Sequence, residues 1–319
     1  DVARRSLVIV SDSETLVKSS RRHLEKSISV MDASGFAEAS SSVSGNNVIF
    51  FSNPHAKMLM SEMFTKKYAA HNPFISTLAQ WTVADIPKSD QSGTYAMASA
   101  VFENDPSDFM TVLAKSEPAV SKVSHILPSY TVSAVSLPMK DAEPYITAYQ
   151  SYLDSKQALQ ALRKKNRDLQ TRTGVSPEDF VKRLDVKEMA RATFMSGGAL
   201  DTVNLMRIGR QDTLIFVGTQ NKSFKNYVPA IHSWPYASYA SAVFGKFFQL
   251  KDESCFTYMD GWIVSGSLKA VEEYVQGKTL EYDLVEYMAD AGQKDMLSTE
   301  ASLVAYFSLT QDQEGQSNI

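Results

Sequence analysis

Two stretches near opposite ends of this chain carry one pattern, and self-similarity constrains a fold more tightly than composition does. Ile9-Val10-Ser11-Asp12-Ser13 matches Ile263-Val264-Ser265-Gly266-Ser267. Each precedes an amphipathic stretch, with Leu16 and Val17 in one and Ala270 and Val271 in the other. Lys26-Ser27-Ile28 then matches Lys278-Thr279-Leu280, and Phe36 falls where Met288 does. Val48-Ile49-Phe50-Phe51 matches Val304-Ala305-Tyr306-Phe307. The matches keep their order at nearly constant separation, which predicts an internal repeat of about 250 residues cut out of phase. Its unit reads as strand, capped helix, short second helix, strand.

Local signals fill in the rest. The β-branched run Leu7-Val8-Ile9-Val10 reads as a buried strand. Ser11 with Glu14 fits a capping box, so a helix is expected to about Glu25. Asn53-Pro54 opens another helix. Residues 81–86 and 94–102 read as an antiparallel pair across a link rich in turn formers. A helix follows Asp105-Pro106, residues 127–137 are extended, and a long helix is expected over 141–171, stopped by Gly174. Ser176-Pro177-Glu178 starts the next helix. Residues 202–208 and 213–217 flank a turn, and Asp260-Gly261 between two aromatic-rich runs suits a tight type I′ hairpin. A helix from Ser267 is expected to end at Gly277.

These elements predict an α+β fold, with antiparallel sheets and helices packed on one face. Three segments are expected: a first repeat part over 1–94, strand–helix units over 95–200, and hairpins with the second copy over 201–319. With 319 residues and 44% hydrophobic content, the chain can bury a sizeable core. A net charge of −4 gives no global pull toward nucleic acid or an anionic membrane. Cys255 is the single cysteine, which excludes an intramolecular disulfide and a CxxC pair, and its apolar neighbours read as core. No apolar run reaches the ~18–20 residues a bilayer requires. No signal peptide is visible, and the start at Asp1 without Met is expected of a piece of a longer protein.

Chemistry is sparse. His23, His55, His71, His125 and His232 form no metal-binding spacing, so no metal or cofactor is expected. There is no GxSxG or SxxK, and the Ser265-Gly266-Ser267 and Ser11-Asp12-Ser13 turns read as helix caps. Gly277-Lys278-Thr279 ends like a phosphate loop but follows a helix, whereas phosphate binding needs a helix start. The basic run from Arg163 to Arg172, interrupted by Asp168 and lacking aromatics, reads as a solvated helix face. No catalytic residue is assigned. Trp234, Tyr236 and Tyr239 surround Pro235, and three large aromatics in a loop can stack on a sugar ring or a partner's apolar side chain. Asp201-Thr202-Val203 and Asp212-Thr213-Leu214 resemble sites of glycan attachment on exported proteins.

The stretch from Asp260 to Leu280 with the aromatic strand after it, Val112 to Thr131, and Pro177 to Ala190 together resemble a bacterial domain-of-unknown-function family. That resemblance implies repeats held outside the cytoplasm by a membrane anchor absent from this chain, and it implies no catalytic residues. The leading expectation is a non-catalytic, extracytoplasmic binding or scaffolding protein of a bacterial cell envelope. Its candidate partners are an envelope protein or a glycan, and nucleic acid is not among them. A hydrolase with a site between two halves is one alternative. A glycan-binding module using Trp234, Tyr236 and Tyr239 is the other.

Overall fold

Short polar side chains set the helix starts. Ser13 accepts the amide of Leu16 at 3.4 Å, Asp141 that of Glu143 at 3.0 Å, Ser176 that of Asp179 at 3.1 Å, and Ser267 that of Ala270 at 3.1 Å. Each occupies one of the amide donors that a helix leaves without an internal acceptor. The structure is a computed structural model. It describes residues 7–41, 48–53, 55, 79–85, 97–101, 105–196, 199–212, 230–250, 254–280, 283–286 and 300–307. The chain divides into two compact units, Asp1–Met110 and Thr111–Ile319.

The first unit holds helices α1 (Glu14–Glu25) and α2 (Phe36–Ser41) and a three-stranded antiparallel sheet in the order β1 (Val48–Ser52), β2 (Trp81–Asp85), β3 (Met97–Val101). Helix α2 covers the sheet. Ala39 and Val83 are completely buried, with Val48, Phe50 and Trp81 packed around them. The Phe36 ring lies 5.1 Å from Phe50 and edge-on at 5.0 Å to Trp81, whose indole N–H donates to the Ser34 carbonyl at 2.8 Å. Residues 81–85 and 97–101 pair as the sequence predicts. The helix expected from Asn53-Pro54 lies mostly outside the described residues.

The second unit is built on seven antiparallel strands. Their order is β12 (Val304–Phe307), β5 (Thr131–Pro138), β6 (Val186–Ser196), β7 (Ala199–Ile208), β10 (Trp262–Gly266), β9 (Cys255–Met259) and β8 (His232–Ser233). A two-residue pair joins β4 (Ala119–Val120) to β11 (Glu300–Ala301). The helices are α3 (Phe109–Lys115), α4 (Ala142–Ser155), α5 (Leu159–Thr173), α6 (Pro177–Leu184), α7 (Tyr239–Phe244) and α8 (Leu268–Leu280). Asp260 and Gly261 take φ of 51° and 83°, the two positive values a type I′ turn needs, and Met259 faces Trp262 across it.

Helices lie on both faces of this sheet, where the sequence pattern predicts one. Strand side chains alternate between faces. Ala190, Ala192, Phe194, Val203, Leu205 and Val264 point to one face, where Ala270, Val271 and Tyr274 of α8 complete a buried cluster. Arg191 and Asn204 point to the other, donating to the carbonyls of Phe247 and Phe248, just beyond α7, at 2.7 Å each. The α+β class with antiparallel sheets stands. The seven-stranded sheet draws its strands from both sides of residue 200, and the two compact units divide between residues 110 and 111.

The long helix expected over 141–171 is two helices. Gln157 adopts φ 58°, and the amides of Gln157 and Ala158 bond back to Asp154 and Leu153, closing α4 before α5 begins. Gly174, at φ 80°, ends α5 as the sequence predicts.

The structure does not bear out the repeat as a packed unit. Both stretches contain a serine-capped helix and end in a strand, but Leu7–Val10 is not a strand. Its counterpart β10 is laddered to β7 on one side and β9 on the other. A four-residue strand without such ladders cannot offset its ordering entropy. The helices differ too: α1 buries no residue, whereas α8 buries Ala270, Val271, Tyr274 and Val275.

Three tyrosines tie this packing to pH. Burial, then Tyr149, pushes the Tyr145 phenol well above its ordinary value. Burial, then Tyr152, pushes Tyr149 up to about 12, and burial, then Tyr130 and Asp260, raises Tyr274. Below pH ~10 the phenols are neutral in folded and unfolded chains alike, so their contribution is complete. As pH climbs from there, the unfolded chain ionises first and stability falls. Alkaline titration followed by phenolate absorbance and circular dichroism is expected to show these three ionising together with unfolding. Ionisation of all 14 tyrosines near pH ~10 with the fold intact would contradict it.

Candidate interaction site

The aromatic loop is not a platform. Trp234, Tyr236 and Tyr239 are 4%, 8% and 1% exposed. Pro235 turns the chain so that all three rings close on Phe180 of α6, at centroid distances of 5.9, 4.9 and 5.0 Å. Trp234 also lies 4.5 Å from Phe256 of β9. The Tyr239 hydroxyl donates to the Val175 carbonyl at 2.6 Å and bonds to Thr173. The expected sugar contact is corrected accordingly: these rings fill the core between α6 and the sheet. Thr202 is likewise committed, sharing a 3.3 Å hydroxyl contact with Thr193 across the ladder, while Asp201 pairs with Lys269 at 3.0 Å. Thr213 lies outside the described residues.

The serine turns act as caps. Ser267 caps α8, as noted above. Ser265 is buried in β10 between Asn204 and Phe256. His232 pairs with Phe256, so Ser265 and His232 stand two strands, ~10 Å, apart. Ser52 Oγ and His55 Nδ1 approach to 2.9 Å, an exposed contact between residues three apart. Among the described residues, no carboxylate is bonded to that histidine. No set of three His, Cys, Asp or Glu side chains is gathered for a metal ion among the described residues. Burial, then Glu272, pushes the Cys255 thiol up, which keeps it protonated and unreactive.

One buried carboxylate has no counterpart in the sequence reading. Glu188 is fully buried in β6. It accepts from Ser121 Oγ at 2.5 Å, Ser136 Oγ at 2.7 Å, the Lys122 amide at 2.9 Å and Arg207 Nε at 3.3 Å. With four donors in place, both oxygens are occupied, so the group fastens residues 121–127 to the sheet and is not available as a base. The far end of that strap is held by α8 and by the chain after it: the Tyr274 hydroxyl of α8 donates to the Ile126 carbonyl, and the Leu284 amide to that of Leu127 at 2.8 Å.

The conspicuous surface is the amino-terminal arm. Leu7, Val8, Val10, Leu16, Leu24, Ile28, Val30 and Met31 are between 53% and 87% exposed. Scattered exposed leucines need no explanation, but a continuous apolar run marks a contact surface. Helix α1 is well formed without packing. Ser13 caps its start, and Glu14–Lys18 and Arg21–Glu25 pair at 2.6 and 2.7 Å. Each such i,i+4 pair contributes about 0.3–0.5 kcal/mol. Leu16, Val17 and Leu24 fall within one third of the helix circumference. The sequence shows this stripe, but it predicts a packed strand and helix there. No helix among the described residues is long and apolar enough to cross a membrane.

Comparison of the chain with protein-family models, with curated proteins and with solved structures finds no match in any of the three.

Proposed function

We propose that this protein is a non-catalytic binding or scaffolding module that works outside the cytoplasm in a bacterial cell envelope. The observation that carries the binding role is the apolar arm, whose helix is ordered yet leaves Leu16 and Leu24 in water. The location rests on the resemblance carried by residues 112–131, 177–190 and 260–280. The arm supplies the contact, and the seven-stranded unit supplies a rigid body.

Leu16→Gln with Leu24→Gln tests this reading. Because both side chains are exposed, stability is expected to change by less than ~0.5 kcal/mol in thermal melts. Capture of envelope proteins by the immobilised chain is expected to be lost. Equal capture by both forms, or a melt lowered by several degrees, would sink the reading. A fluorophosphonate probe is expected to leave Ser52 unlabelled, and labelling would restore the hydrolase alternative.

A further inference from the structure

We infer that the amino-terminal arm pairs with the arm of a second copy of this chain, the two α1 helices lying antiparallel about a twofold axis at Ser20. This rests on the binding role given to the arm above and names its partner. The first support is area. The eight exposed apolar residues of the arm together present roughly 900 Å² of accessible surface, about what one partner contributes to a stable interface.

The second support is their distribution, which is symmetric about Ser20. Leu16 lies four residues before it and Leu24 four after; Val10 lies ten before and Val30 ten after. Leu7 and Val8 extend the apolar group at one end, and Ile28 and Met31 extend it at the other. A contact between identical patches requires that residue i meet j while j meets i. Antiparallel helices centred on Ser20 satisfy this, setting Leu16 against Leu24 of the second copy and the reverse. At about 100° per residue, Leu16 and Leu24 stand about 80° apart around the helix with Ser20 midway between them, so all three belong to one seam. A foreign partner would require no such symmetry.

The third support is polarity. The acidic residue of the first turn is Glu14, and the basic residues of the last turn are Arg22 and His23, so antiparallel placement sets acid beside base and opposes the two helix dipoles. Glu14 and Glu25 are already held by Lys18 and Arg21 of their own helix, and bring no unpaired acid to the seam. Leu16, Val17 and Leu24 make a stripe as wide as another helix, too narrow to lie in a bilayer surface.

Sedimentation equilibrium of the full chain from about 1 to 100 µM is expected to show the mass rising from one chain to two. Leu16→Gln with Leu24→Gln is expected to weaken this association by at least about tenfold. Ser20→Cys places its two thiols at the axis, and mild oxidation with copper phenanthroline is expected to join them. Thr15→Cys, whose copies stand about 15 Å apart in this register, is expected to stay unjoined. Cys255 is buried and adds no cross-link of its own. A chain that stays monomeric throughout would overturn the inference; if it still captures envelope proteins through Leu16 and Leu24, the binding role stands without it. Dimers that the double leucine variant forms equally well would overturn it, as would joining of Thr15→Cys as readily as Ser20→Cys. So would phosphatidylglycerol vesicles that take up the arm in place of the second copy.

Discussion

Glu188→Ala is expected to destabilise the fold by about 2–5 kcal/mol, because the buried hydroxyls of Ser121 and Ser136 lose their acceptor. Arg207 is partly exposed and can recover water, but Ser121 and Ser136 are buried and cannot. The loss should appear as a lower urea midpoint with an unchanged slope. Glu188→Gln keeps the shape but turns a donor toward other donors, so a smaller loss of about 1–3 kcal/mol is expected. A loss below ~1 kcal/mol for the alanine variant would mean that water already reaches the carboxylate.

Phe180→Ala is the second large effect. This ring is fully buried and touches Trp234, Tyr236 and Tyr239 at once. Removing it takes the common neighbour from three aromatics, and about 3–5 kcal/mol is expected. Tryptophan emission should also shift to the red as water gains Trp234. If emission and melting both stay in place, the aromatic loop does not pack on α6.

Elements with local causes were legible. Ser176 and Ser267 announce helices because a cap bond spans only three residues, the first helix is capped by Ser13 where Ser11 was expected, and Asp260-Gly261 announces its hairpin because both positions need positive φ. Elements decided by distant partners were not. Strand β6 contains Lys187-Glu188-Met189-Ala190-Arg191-Ala192, a run of strong helix formers, yet it lies between β5 and β7. Two ladders outweigh propensities of a few tenths of a kcal/mol per residue. The break at Gln157 has no glycine or proline to mark it. The arm and the aromatic loop reverse their expected roles for one reason. Exposure belongs to the surroundings of a residue, so Leu16 in water and Trp234 in the core look equally apolar as letters.

The strap at residues 121–127 carries a consequence for how the chain is made. Its anchors lie far downstream: Glu188 is 67 residues beyond Ser121, and Tyr274 is 148 beyond Ile126. During synthesis, Ile126 and Leu127 leave the ribosome long before the side chains that will cover them, so this stretch waits as sticky, unclosed polymer. Contacts of such sequence span form late and slowly. The window between the emergence of the strap and the arrival of α8 is therefore when a holding chaperone would be needed most.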